Sequence, residues 1–280
     1  MTFIPAITDE AKKVIKEKLE KIAKTQSVHI LFAIESGSRA WGFPSSNSDY
    51  DVRFVYSRNA KDYLSIRNLR DVIETEIVYD AQLGVPLDIT GWDIRKALQL
   101  ALKSNPVLLE WLQSPICYEM NEKTTHQVLQ FAYEVANLDL IKYHYYKLAH
   151  NAWSQLEKDK DEVKLKSYFY ALRPALSVQW ISKFGQIPPM DLLSLMDTLI
   201  KDPKLKNAIS MLITLKATAT EDAKMVRNEI VDFFIQQILS KLPQQKNLPP
   251  IISDQDFAQA DTLFKKILTG TEYDFKNYPC

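Results

Sequence analysis

The sequence predicts an α+β protein: a small mixed sheet with flanking helices, followed by an all-helical region. Three observations carry that expectation. Short apolar runs rich in β-branched residues crowd residues 28–90, and such runs read as strands. From about residue 122 they give way to long segments with a 3.6-residue apolar period. The two patterns meet near Pro115–Glu122, which divides the chain into an expected sheet domain over 1–118 and a helical domain over 119–280.

Thr8 is placed to cap a first helix, with Asp9 and Glu10 in the turn where they complement the helix dipole. Val14, Ile15, Leu19, Ile22 and Ala23 then form one apolar stripe, so residues 9–24 read as an amphipathic helix. The run VHILFAIE, residues 28–35, suits a strand buried on both faces. A second strand is expected over Asp51–Tyr56, where Val52, Phe54 and Tyr56 alternate with Asp51, Arg53 and Val55. Residues 71–79 and 85–90 predict further strands, the second introduced by Gly84. Asp93 is the expected cap of a helix running to about Lys103. Ser104-Asn105-Pro106 ends it and starts another, with the proline at the first helical position. Helices are then expected near 122–137, 139–156, 163–184, 190–202, 204–217, 220–241 and 254–268, punctuated by Gly185, Gly270 and the proline pairs at 188–189 and 249–250.

With 46% apolar and 25% charged residues among 280, the composition is that of a globular protein. Its formal net charge is zero, so the summed field draws in no polyanion and leaves only a local basic groove for one. The two cysteines, Cys117 and Cys280, exclude a disulfide framework and a CxxC zinc site and fit a reducing cytoplasm. No basic-then-apolar leader and no 18-residue apolar run occurs, so neither secretion nor a membrane is expected. His29, His126, His144 and His150 form no zinc-ligand spacing, and Walker-A, GxGxxG and GxSxG patterns are absent.

One stretch departs from scaffold: ESGSRAWGFPSSNSDYDVRF, residues 35–54. It places Gly37 and Gly42, two of only 6 glycines, in one loop after a buried strand. Glycine permits close backbone approach to a ligand, and Ser38 adds a hydroxyl donor for a phosphate; a tight strand-to-turn connection explains the same pair. Asp49 and Asp51, two apart on a strand, share a face and repel unless a cation lies between them or water reaches them. Hard divalent cations such as Mg²⁺ take oxygen ligands, through one or two carboxylates together with substrate phosphates. A third carboxylate is needed for a two-metal phosphoryl displacement, and Asp88, between Leu87 and Ile89, is the best placed. Glu74 and Glu76 fit a solvated strand face instead.

Gly37-Ser38, Asp49-Tyr50-Asp51 and Asp88 resemble the signature of the DNA polymerase beta-type nucleotidyltransferases. More narrowly, SGSRAWGFPSSNSDYDVRFVY, LDITGWDIRKALQLALKSNPVLLEWLQSPICY and KSYFYALRPAL are similar to a predicted nucleotidyltransferase group of bacteria and phages linked to RNA repair, the RlaP-like proteins. The resemblance implies a mixed-sheet palm followed by a helical domain that completes the nucleotide and acceptor cleft. It implies transfer of a nucleoside monophosphate from an NTP such as ATP to a hydroxyl on an RNA end, a protein or a small molecule. Asp49, Asp51 and Asp88 would be the catalytic carboxylates and bind two Mg²⁺ ions, or Mn²⁺ in their place. Gly37 and Ser38 would meet the phosphates, and Arg39 would touch phosphate or form a surface ion pair.

In KSYFYALRP, Lys166, Tyr170 and Arg173 share one helix face, which suits triphosphate charge and base stacking; surface cations snorkelling beside a core aromatic have the same spacing. Arg53 suits a phosphate contact or an ion pair. Asn105, Glu110 and Trp111 read as cap, helix surface and packing anchor. A catalytically idle nucleotide-binding or interaction module on the same fold is the competing reading, and three clustered acids without a cation argue against it.

Overall fold

The structure is a computed structural model and describes residues 7–158, 162–241 and 249–274; Cys280 lies outside them. Thr8 accepts the Ala11 N–H at 3.2 Å to cap Asp9–Gln26 (α1), and Ser27 closes the helix in the left-handed conformation. His29–Glu35 (β1), the short helix Gly37–Trp41 (α2) and Tyr50–Ser57 (β2) follow. After a 3₁₀ turn at Ala60–Leu64 come Val72–Glu74 (β3), Val78–Asp80 (β4) and Val85–Asp93 (β5). Asp93 and Asn105 cap Ile94–Leu102 (α3) and Pro106–Leu112 (α4) by accepting the N–H groups of Arg95 and Val107. Cys117–Met120 (β6), Glu122–Glu134 (α5), Leu138–Leu156 (α6), Glu162–Lys164 (β7) and Leu165–Phe184 (α7) come next. The rest is Leu192–Leu199 (α8), Pro203–Thr218 (α9), Lys224–Val226 (β8), Glu229–Lys241 (α10) and Asp254–Asp274 (α11). No described helix is long and apolar enough to cross a membrane.

The α+β expectation holds, and the sheet is mixed: β3-β5-β2-β1-β6, with β4 also on β5. Only β2 and β5 among these strands pair in parallel. The chain forms two compact units, and neither is continuous in sequence as a single cut near residue 118 would make it. One gathers residues 6–36, 49–136 and 250–280; the other gathers 1–5, 37–48 and 137–249. The C-terminal α11 joins the sheet unit because Phe264 meets Tyr63 edge-to-face at 5.0 Å and lies under Arg95.

In the sheet unit, Val52, Phe54 and Tyr56 of β2 and Leu87 and Ile89 of β5 pack with Ala11, Ile15 and Leu19 of α1. That apolar alternation sends Asp51, Arg53, Asp88 and Thr90 to the opposite face. The expected strand over 71–79 is broken into β3 and β4, which pair with successive stretches of β5, and Thr75 spans the break by bonding the Ile89 carbonyl. The strand expected over 85–90 runs on to Asp93 in β5. Gly91 there is no turn; it sits against the Phe54 ring, and a methyl group would fall inside that ring.

In the helical unit, α7 is the buried axis, with Tyr168, Phe169, Leu172 and Leu176 fully enclosed among α6, α8, α9 and α10. The strands β7 and β8, which the sequence did not lead one to expect, form a two-stranded ribbon. They are three residues each with only Val163 buried, too short for a periodicity to show.

Gly91→Ala should lower the unfolding free energy by roughly 1–3 kcal/mol through overpacking against Phe54. Gly270→Ala, in open space on α11, should raise it by roughly 0.5–1 kcal/mol. Urea unfolding of both variants tests the pair, and a harmless Gly91→Ala would show that Phe54 yields.

Candidate functional site

Within the sheet unit, the parallel register sets Asp51 opposite Asp88 and Arg53 opposite Thr90. Arg53 Nη2 donates to Asp51 Oδ1 at 3.0 Å and to Asp88 Oδ2 at 2.7 Å. Its Nη1 donates to the carbonyls of Val52 and Asp88, and the Thr90 hydroxyl donates to Asp88 Oδ1 at 3.3 Å. Like charges on neighbouring strands need a cation, and here the cation is a guanidinium. All three side chains keep some contact with water, at 17–22% exposure.

Asp49 precedes β2 by one residue and is half-buried. Among the described residues no three His, Cys, Asp or Glu side chains are gathered as a metal-holding group. The structure brings Asp51 and Asp88 together on Arg53, and Asp49 lies two residues before Asp51 at the entry to β2. The donor set still fits a hard divalent cation: two part-exposed carboxylates converge on one positive nitrogen.

Glu35, at the end of β1, was not singled out by sequence. It is wholly buried, accepting the Asp51 N–H at 3.1 Å and the Tyr118 hydroxyl at 2.7 Å. The signal was there: a carboxylate closing an apolar strand wants partners. Glu110, read as helix surface, is a correction: it is 6% exposed, because α4 is covered on several sides. Asn105 caps α4, and Trp111 stacks on Trp92 at 3.8 Å. Glu74 and Glu76 are exposed as expected.

The other candidates lie in the helical unit. Gly37 and Gly42 hold φ of 60° and 92°, left-handed values that favour glycine and let α2 start and stop abruptly. Trp41, between them, receives Arg173 over its ring face at 4.2 Å and the edge of Tyr170 at 6.0 Å. Phe43 stacks on Phe169 at 4.6 Å. Tyr170 is half-exposed, while Arg173 is buried and donates to the Met190 carbonyl. The shared face of Lys166, Tyr170 and Arg173 therefore meets loop 37–48, with Arg173 serving as the platform under Trp41. Arg39 donates to the Ser48 carbonyl.

The loop is fastened by a network built on Glu221. Ser38 Oγ donates to Ser48 Oγ at 3.1 Å, and Ser48 Oγ donates to Glu221 Oε1 at 2.7 Å. Ser45 Oγ donates to the same oxygen. Lys216 Nζ, almost wholly buried, donates to Ser45 Oγ and Glu221 Oε1, each at 2.9 Å. Lys166 Nζ lies 3.9 Å from the other oxygen of Glu221. Burial pushes the Glu221 carboxyl up, but the hydrogen bonds from Ser45, Ser48 and Lys216 and the Lys216 charge outweigh it and bring it down to about 2. Lys216 could have been found in the sequence, because it occupies the inward stripe Leu205, Ala208, Ile209, Leu212 of α9.

A family model described as the RNA repair pathway DNA polymerase beta family (RlaP) matches residues 11–266. The YcgL protein of Bacillus subtilis (strain 168), described as uncharacterized, is 43% identical over 232 residues, covering 82% of this chain and 86% of its own length. The crystal structure of a nucleotidyltransferase-like protein from Exiguobacterium sibiricum 255-15 is similar over 91% of this chain and 80% of its own, at 9% identity and a TM-score of 0.30, too weak a likeness to build on.

Glu221 carries a folded-state pKa below its ordinary value of 4.5, so its contribution is complete above that value and fades as the pH falls toward about 2. In acid titrations of stability, the advantage of the wild type over Glu221→Gln should shrink across that window, by at most about 3 kcal/mol. A difference that stays constant from pH 5 to 2 would mean the carboxylate is not held down.

Proposed function

This chain belongs to the RNA repair pathway DNA polymerase beta family, and on that premise we propose that it is a metal-dependent nucleotidyltransferase. The observation that carries the reading is the in-register pair Asp51 and Asp88 on the solvent-reached face, converging on a single cation. The family description favours an RNA end as the acceptor. In the reaction, an acceptor hydroxyl oxygen forms a bond to the α-phosphorus of an NTP while the α–β bridging bond breaks and pyrophosphate leaves.

Asp49, Asp51 and Asp88 would hold Mg²⁺, or Mn²⁺ in its place. Bound there, the metal would supply charge neutralisation for the triphosphate and would favour deprotonation of the acceptor hydroxyl. Asp88 orients that hydroxyl and helps it lose its proton. Thr90 fixes the Asp88 side chain, and Glu35 fixes the backbone at Asp51 through its N–H. The family's phosphate-binding pattern falls on Gly37 and Ser38 of the helical unit, where Lys166 would add charge. Tyr170, half-exposed beside Trp41, offers a face for the base. Most of the acceleration in such chemistry comes from positioning and charge, which pre-set side chains supply.

One observation favours a second reading. Arg53 already pairs with both carboxylates, as it would in an idle nucleotide-binding module where the three side chains only brace β2 against β5.

The two readings part in one experiment. The full chain is incubated with Mg²⁺ and each α-labelled NTP, with and without RNA, and with a chelator. Catalysis predicts label on RNA, none with chelator, and a loss on the order of 10²–10³-fold in Asp88→Asn and Asp51→Asn. Nucleotide that raises the melting temperature without any transfer of label would establish the idle module. Neither stabilisation nor transfer with any NTP would remove both.

A further inference from the structure

The parallel pair has a second functional end. Asp51 and Asp88 stand near the N-terminal ends of β2 and β5; the C-terminal ends lead into Ser57-Arg58 and into Asp93, where α3 begins. Seven residue steps lead from Asp51 to Arg58, roughly 23 Å at the usual rise. A cavity of about 80 Å³ opens at that far end, where Arg58, Arg67, Arg95 and Lys96 face Asp62, Asp71 and Asp93.

The acids there are largely committed. Asp93, buried, accepts the Tyr63 hydroxyl at 3.0 Å and the Arg95 N–H at 2.8 Å, and Asp71 accepts Lys96 at 3.0 Å. The arginines are less so. Arg58 Nε is buried with no hydrogen-bond partner among the described residues, and the buried Ser57 Oγ beside it is in the same condition. The Arg58 Nη groups reach the carbonyls of Gln26 and Arg70 at 3.5 and 3.4 Å, the long limit of a hydrogen bond, and the guanidinium lies over the Tyr56 ring at 5.4 Å. Arg95 lies over the rings of Tyr63 and Phe264 at 4.8 and 5.3 Å and lines the cavity. Arg67 is exposed on the loop between.

We propose that this cavity is a binding site for a phosphate group, gripped by Arg58, Arg67 and Arg95 and separate from the Asp51–Asp88 pair. Several guanidinium forks around a space this small match a tetrahedral oxyanion with bidentate hydrogen bonds. The cations outnumber the carboxylates by one in the lining, so one negative charge is balanced. Buried donors that lack partners gain most from such a guest, because they lose no existing bond. A free phosphate and a backbone phosphate of RNA present the same chemistry, and two arms of one experiment separate them.

The full chain is kept in EDTA, so that metal-dependent nucleotide binding does not contribute, at fixed ionic strength. One arm follows phosphorus NMR line broadening of inorganic phosphate; the other follows the fluorescence anisotropy of an end-labelled eight-nucleotide RNA. Inorganic phosphate should bind the wild type, with the dissociation constant rising at least tenfold in Arg58→Gln and Arg67→Gln and unchanged in Lys13→Gln on α1. Tighter binding of the RNA, weakened by the same variants, assigns a backbone phosphate; RNA binding indifferent to them assigns a free one. Arg67 is exposed, so its substitution leaves the fold intact and decides the matter even where Arg58→Gln does not fold. No binding of either probe, or equal binding by wild type and Arg67→Gln, overturns the site.

Discussion

The guanidinium of Arg53, set between Asp51 and Asp88, is the contact on which the rest of the sheet unit's chemistry depends. Two carboxylates facing each other across a parallel pair repel, and Arg53 converts that repulsion into three-way attraction on a partly hydrated face. The arrangement exists only in one register. A slip of one residue would turn Asp51 and Arg53 into the core under α1 and bring Val52 and Phe54 to solvent. The register is held from the other side, where the Phe54 ring lies against Gly91. A glycine that packs thus fixes where a carboxylate points.

The helical unit solves a related problem by burial. Lys216 and Glu221 form a nearly enclosed pair whose extra valences are filled by Ser45 and Ser48. Desolvation makes such a pair a poor source of stability compared with apolar packing, though removing one partner is costly. Its value is in specificity. The glutamate fixes the hydroxyl of Ser48, which in turn receives the hydroxyl proton of Ser38 and the N–H of Ser45. The loop that begins with Gly37 is therefore anchored at its far end by a residue 173 positions away from Ser48 in sequence.

What the sequence displayed and what it concealed divide along physical lines. Features written in neighbouring residues were legible: the Thr8, Asp93 and Asn105 caps, the stripe of α1, the alternation of β2 and the apolar run of β1. Asp51 and Asp88 were legible as strand carboxylates, but not their pairing, which needs the register of β2 against β5. Contacts between distant segments were not. Nothing local ties Glu221 to Ser45, or α11 to the sheet through Phe264 and Tyr63. Nothing local around Gly91 marks a close approach, which only the Phe54 ring against it reveals. Arg53 was visible as a charge, yet its partner lay on a strand whose register had not been set.

A formal charge of zero conceals a strong local separation of charge along β2 and β5. Near one end acids outnumber the arginine that joins them; at the other, arginines and a lysine outnumber the acids. Roughly 23 Å of strand lies between the two ends, whereas physiological salt screens exposed charges beyond about 8 Å. Each end therefore acts on its surroundings nearly independently of the other. Net neutrality does exclude long-range capture of a polyanion by the summed field. It places no such limit on a phosphate once it is within a Debye length of Arg58, Arg67 and Arg95, or on a cation that comes as close to Asp51 and Asp88. The sheet holds the two fields apart by an uninterrupted parallel ladder of six residue pairs, from Asp51↔Asp88 to Tyr56↔Asp93.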